Sequence, residues 1–339
     1  MSDTNSIAAT SQFMASCSLC PRNCHVDRRS EATARGYCGM DDTIRIARAA
    51  LHFWEEPGIS APFEDMVSSV VRESATDQTA VRGSGAVFFS GCTLRCVYCQ
   101  NREIAAGKLG RVISIQELAD IFVDLQNQGA YNINLVTPTH YVPQIREAIL
   151  LYHVFCARSG VDPLPMLYNT SSYENLETLQ MLDGLIDIYL PDLKYLDPER
   201  SAKYSHAKDY PEVAKAAIAE MVRQTGAPVF DDQGLLKHGT VVRHLVLPGA
   251  TGEAKRVTQY LYETYGHSIY ISILHQYTPI SGLDAFPELQ RRVTKREYQK
   301  VVDYALELGV EQAFTQEGRT ARESFIPEFA GNTSLHPVS

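Results

Sequence analysis

Six strand-then-helix units beginning at Ala86, with a short cysteine-rich stretch ahead of them, predict an α/β fold: a partial (β/α)6 TIM-like barrel carrying a small N-terminal cysteine-rich metal-binding domain. Two observations carry this. Apolar, β-prone runs alternate with segments of helical spacing, which demands parallel pairing with right-handed crossovers and curls the sheet. Seven of the eight cysteines also fall into two groups, Cys17 to Cys38 and Cys92 to Cys99, in a chain of 339 residues long enough to build its core without disulfides.

Taken in order, residues 1–16 are polar and small, with neither a basic start nor an apolar h-region, and read as a disordered tail. Residues 17–63 form the expected metal or iron-sulfur domain. A short strand is expected over Thr43 to Ala50, where I-x-I alternates, followed by His52-Phe53-Trp54-Glu55-Glu56-Pro57. Residues 64–84 are poor in large apolar side chains and read as a flexible insertion. The barrel is expected over 85–330 and a tail over 331–339.

Within the barrel, Ala86-Val87-Phe88-Phe89 is the first strand. Ser114 with Glu117 is a capping box, and Ile115, Leu118, Ile121, Phe122 and Leu125 recur at helical spacing until Gly129. Strands follow at Ile133–Val136, Met166–Asn169, Ile186–Leu190, Val241–Leu247 and Ile269–Leu274. Helices are expected near 143–158, from Glu174, and near 211–225, 253–265 and 295–308. Cys156 lies in a helical stretch and reads as a buried small hydrophobe.

The chemistry concentrates where the first strand ends, in G-C-T-L-R-C-V-Y-C-Q-N. Cys92, Cys96 and Cys99 lie on one loop, and three thiolates satisfy three irons of a cubane while leaving the fourth open. A three-cysteine zinc site completed by His, or buried free thiols, is the competing reading, although zinc sites usually show paired C-x2-C units. Cys17, Cys20, Cys24 and Cys38 match the ligand count of a closed site, either a second 4Fe-4S cluster or a structural zinc. With four cysteines present, His25 is expected outside the ligand set.

The C-x3-C-x2-C spacing with an aromatic before the last cysteine resembles the radical S-adenosylmethionine enzymes, and the wider string C-V-Y-C-Q-N-R-E is similar to the motif of pyruvate formate-lyase activating enzymes. The resemblance implies a 4Fe-4S cluster on Cys92, Cys96 and Cys99 that chelates S-adenosylmethionine through its open iron. It further implies one-electron cleavage of the sulfonium to a 5'-deoxyadenosyl radical, which abstracts hydrogen from a substrate. Tyr98 would pack on adenine, and Asn101 joins it among the expected cofactor contacts. The Gly-Gly-Glu stretch of many such enzymes is absent, and Thr137 or its carbonyl is expected in its place.

Barrel chemistry lies at the C-terminal ends of strands, and polar residues gather there. Asn169-Thr170-Ser171-Ser172 is similar to the Asn or Asp with hydroxyls that holds the ribose in related activating enzymes, which implies Asn169 as a cofactor contact, with Ser172 as a helix cap. Asp192 and Lys194, two apart on extended chain, share a side and read as an ion pair lining the cofactor pocket or as a surface pair. Arg243 sits in an apolar strand and needs an anion, either the methionine carboxylate or a core carboxylate. His140 and His275 are candidates for the substrate side. Glu55 and Glu56 suggest acid/base work or paired surface charge, and the resemblance extends through H-x-x-E-E-P.

The net charge of −9 argues against nucleic acid, and no run approaches the roughly 18 apolar residues that span a bilayer. The expected location is the cytoplasm, with flavodoxin or ferredoxin as reductant and a glycyl-radical enzyme as one expected partner. Radical modification of a small molecule or peptide, and a non-catalytic iron-sulfur scaffold, are the alternative functions.

Overall fold

The computed structural model describes residues 13–29, 35–62 and 82–316. The expected 331–339 tail lies outside these residues, as do the 1–16 tail up to residue 12 and the 64–84 insertion up to residue 81. Met14 is buried, and its carbonyl accepts from the Arg28 amide.

The strands are β1 (Ile44–His52), β2 (Ser84–Phe89), β3 (Arg111–Ile113), β4 (Ile133–Val136), β5 (Met166–Thr170), β6 (Ile188–Pro191), β7 (Val229–Phe230), β8 (Leu236–Leu245), β9 (Tyr270–Leu274) and β10 (Ala313–Thr315). The helices are α1 (Arg102–Ala105), α2 (Ile115–Asn127), α3 (Val142–Ser159), α4 (Leu176–Gln180), α5 (Pro198–Ser205), α6 (Tyr210–Thr225), α7 (Thr251–Tyr265) and α8 (Lys295–Leu308). Strand order is β10-β9-β8-β6-β5-β4-β2-β1-β3, with β7 paired to β8. From β2 to β10 the neighbours along this path run parallel, while β1 is antiparallel to both β2 and β3. This is the expected partial barrel, with β3 and β10 as its edges and β10 as a seventh parallel strand.

Local chemistry explains the elements. The capping box of Ser114 and Glu117 opens α2, and Thr294 with Glu297 does the same for α8. Gly160 and Gly309, both left-handed, end α3 and α8. Buried Leu118, Ile121, Phe122 and Leu125 put one face of α2 against the sheet. The short helix expected from Glu174 starts instead at Leu176 behind Asn175. Ser172 is not its cap, because its left-handed backbone sits in the turn before the helix and its Oγ is buried without a partner. Among the described residues no helix is long and apolar enough to cross a membrane.

Residues 44–62, expected within the cysteine-rich domain, belong to the barrel. β1 pairs with β2, and residues 53–62 then enter the barrel at the N-terminal ends of its strands. Ile59 is wholly buried among Leu167, Ile188, Leu190, Leu236, Val241 and Phe314. Its carbonyl accepts from Asn132 Nδ2 at 2.8 Å, and Asn132 Oδ1 accepts from Ser84 Oγ at 2.7 Å. Two buried polar partners thus fix the height of this plug.

Candidate cofactor site

The loop after β2 carries the three cysteines. Gly91 permits the turn into it with φ of 91° and with no room for a side chain, since a Cβ would lie 3.1 Å from the Cys38 carbonyl. The thiols meet groups suited to thiolates. The Leu94 and Arg95 amides each lie 3.4 Å from Cys92 Sγ, and Ser205 Oγ donates to Cys96 Sγ at 3.0 Å. Burial raises the Cys96 thiol, with Lys194 and Ser205 opposing it. Burial and the other two cysteines push Cys99 up to about 12. Deprotonating such a thiol needs a metal to replace the proton. This donor set fits an iron-sulfur cluster on Cys92, Cys96 and Cys99.

Tyr98 is buried beside them. Its hydroxyl lies 2.6 Å from that of Tyr195, and Tyr195 lies 2.9 Å from Ser205 Oγ, so a chain of hydroxyls runs back to Cys96. Its ring meets Tyr204 and Tyr277 edge-on. Asn101 stands at the start of α1, where its carbonyl accepts from the Ala105 amide.

Three of the polar strand ends converge. Arg243 Nε donates to Asp192 Oδ1 at 2.9 Å, and another guanidinium nitrogen donates to Asn169 Oδ1 at 2.5 Å. The third lies 3.5 Å from Glu55 Oε2. Lys194 Nζ donates to Asp192 Oδ2 at 2.5 Å. In this structure Arg243 therefore holds core carboxylates, the second of the two partners open to it from sequence. Burial alone would raise Asp192, but Arg243 and Lys194 hold its carboxyl below the ordinary range. Thr137 follows β4 with φ of 61°, an uncommon backbone for a β-branched residue, and its amide donates to the Asn169 carbonyl.

Glu55 and Glu56 are not surface charges. Glu56 is buried and Glu55 nearly so inside the barrel: Glu55 Oε1 accepts from Asn134 Nδ2 at 3.0 Å, while Glu56 Oε2 has no partner. Burial raises both carboxyls, that of Glu56 to about 7 against the pull of Arg243. With Glu56 protonated, Arg243 and Lys194 balance Asp192 and Glu55, and the buried group is neutral. Sequence alone left this pair undecided; the H-x-x-E-E-P string is the local signal that singled it out.

The two histidines do not join this group. His140 is buried behind the cysteine loop, with Nε2 2.7 Å from the Ser90 carbonyl. Burial and the charge of Arg28 lower it to about 3. It braces the loop. His275 packs its ring on Tyr298 at the end of β9, with ring centroids 4.6 Å apart.

The N-terminal cysteines form a second group. Cys20 is pushed up to about 12 by burial, with Cys38 and Cys17 adding, and Cys38 is raised by burial, with Cys17 and Cys24 adding. The Tyr37 amide lies 3.3 Å from Cys24 Sγ, and a Cβ on Gly36 would crowd the same sulfur. Arg28, buried, donates to the carbonyls of Met40, His140 and Asp41 and seats this unit on the barrel. Among the described residues no three His, Cys, Asp or Glu are gathered around a single metal ion; a cubane instead sets each thiolate on a different iron.

The cysteine loop lies inside a match to a known family. The family model for the radical SAM superfamily matches residues 86–260. Uncharacterized protein MJ0674 of Methanocaldococcus jannaschii is 23% identical over 300 residues, covering 85% of this chain and 74% of that protein. The pyruvate formate-lyase-activating enzyme of Listeria monocytogenes is 24% identical over 178 residues, covering 51% of this chain and 66% of the enzyme. Among solved structures, a radical SAM methyltransferase from Sphaerobacter thermophilus aligns with a TM-score of 0.47 at 13% identity, covering 72% of this chain and 69% of that one. The chain belongs to the radical SAM superfamily.

Proposed function

We propose that this protein cleaves S-adenosylmethionine reductively at a 4Fe-4S cluster on Cys92, Cys96 and Cys99 and abstracts hydrogen from a polypeptide substrate, a glycyl-radical enzyme being the partner class. The observation that carries the reading is the three-cysteine loop leaving the first parallel strand inside the family match. The likeness to an activating enzyme supports the substrate class.

When bound, the cluster and S-adenosylmethionine supply one electron and a 5'-deoxyadenosyl radical. The chain's own residues orient and enclose them. Tyr98 and Asn101 flank the last cysteine, and Thr137, Asn169, Asp192, Lys194 and Arg243 offer polar contacts along successive strand ends. The Arg243 network ties Asn169, Asp192 and Lys194 together, so little reorganisation of these three is left for the moment of reaction. The Cys17, Cys20, Cys24 and Cys38 set would hold a second 4Fe-4S cluster, or a zinc if the four thiols draw together around it. A reductant of the flavodoxin or ferredoxin kind supplies the electron.

The test is anaerobic purification, iron, sulfide and zinc counts, then dithionite with S-adenosylmethionine and an assay for 5'-deoxyadenosine. Product that disappears in Cys96→Ala supports the reading. No product from a loaded, reducible cluster counts against it. For the partner, co-incubation with glycyl-radical enzymes should give an organic-radical doublet by electron paramagnetic resonance, and its absence from every partner tried would sink the activase.

A further inference from the structure

On the reading of the cysteine loop given above, we propose that Arg22 is a positioning residue for the radical cluster: through it the N-terminal cysteine unit sets the hydrogen bond that Cys96 receives. Arg22 lies two residues after Cys20, and one guanidinium serves three separate segments. Nε donates to the Thr93 carbonyl at 2.9 Å, and a terminal nitrogen reaches the Leu94 carbonyl at 3.5 Å, both within the Cys92 to Cys96 loop. The terminal nitrogens also donate to the His206 carbonyl at 2.6 Å and the Ser205 carbonyl at 3.2 Å. Its plane lies 3.9 Å over the Tyr37 ring, whose own amide faces Cys24 Sγ.

Ser205 is the last residue of α5, and left-handed His206 ends that helix. The carbonyls there have no partner within the helix, and a cation at a helix C-terminus is favourable. Arg22 therefore pins the same residue whose hydroxyl donates to Cys96 Sγ. The planar fork is what allows four carbonyls to share one side chain, which a lysine ammonium cannot reproduce. Tyr195 bonds Ser205 from its other side, so the hydroxyl is held between a fixed backbone and a fixed phenol.

A hydrogen bond to a cluster sulfur stabilises the extra negative charge of the reduced state, so its loss moves the potential down. The experiment is a redox titration of the electron paramagnetic resonance signal that is lost in Cys96→Ala, in the full chain with both cysteine groups loaded. Ser205→Ala should shift this signal to a more negative potential. Arg22→Ala and Arg22→Lys should shift it the same way, and Arg22→Ala combined with Ser205→Ala should shift it no further than Ser205→Ala alone. Asn175→Ala removes a different contact to the N-terminal unit, the 2.6 Å bond to the Ser18 carbonyl, and should leave the potential unchanged.

Four results overturn the assignment: a wild-type potential in Arg22→Ala, a wild-type potential in Arg22→Lys, additive shifts in the double variant, or an equal shift in Asn175→Ala, which would mean general loosening. If Cys96→Ala loses no iron and no signal, the reading of the loop itself fails. That result is distinct from a loaded loop indifferent to Arg22.

Discussion

Replacing Glu56 by glutamine should stabilise this protein at alkaline pH and leave it unchanged in acid. Glu56 is raised from its ordinary 4.5 to about 7, first by burial, and its Oε2 finds no partner. Each pH unit of displacement is worth about 1.36 kcal/mol, so holding the carboxylate ionised in the folded chain costs about 3 kcal/mol. The sign follows from proton counting. Between about pH 4.5 and about pH 7 the folded state keeps a proton that the unfolded state has released, so stability falls as pH rises through that window. Glutamine resembles the protonated acid and does not titrate. The free-energy difference between Glu56→Gln and the parent should thus be near zero at about pH 4.5 and grow to about 3 kcal/mol in favour of the variant by about pH 8. Glu174, also raised to about 7 by burial, and His140 titrate in both proteins and cancel in the difference. Equilibrium urea unfolding at the two pH values gives the number. A variant equally destabilised at both would refute the neutral-network account and mean that Glu56 works as a carboxylate.

Other outcomes follow from the same contacts. Arg243→Met leaves Glu55 without its cation and Asp192 with Lys194 alone, and should cost up to about 3–5 kcal/mol, the range for breaking a buried pair, in the same unfolding assay. Gly91→Ala forces a left-handed backbone and sets a Cβ 3.0 Å from His140 Nε2, so its purified protein should carry fewer irons at the cysteine loop, by elemental analysis, than the parent. Arg28→Met deprives the Met40, His140 and Asp41 carbonyls of their donor, at about 1–3 kcal/mol for each one left unsatisfied, and should raise hydrogen exchange across residues 13–29 selectively.

Much of the barrel was legible because its signals are local. The apolar run at Ile133 and the capping box at Ser114 need no distant partner to be recognised, and the cysteine spacing carries its own geometry. Asn169, Asp192 and Arg243 were found as strand-end oddities, and the parallel register brings them together. What escaped depended on partners far along the chain. Glu55 looks like surface charge until Asn134 and Arg243 close around it. His140 looks like a substrate contact until Ser90, fifty residues earlier, takes its ring nitrogen. Ser205, Tyr195 and Tyr210 carry no motif, yet the Tyr210 hydroxyl donates to the Asp192 carbonyl at 2.8 Å and accepts from the Lys194 amide. β10 is three residues long, too short for periodicity to show.

The plug of residues 53–62 gives the barrel a floor. Among the described residues Ile59 fills the N-terminal ends of the strands, and the polar strand ends at Asn169, Asp192 and Arg243 face the other way. A charged group held at those strand ends rests on a packed apolar base, so its charge is balanced by neighbouring side chains and not by water from below.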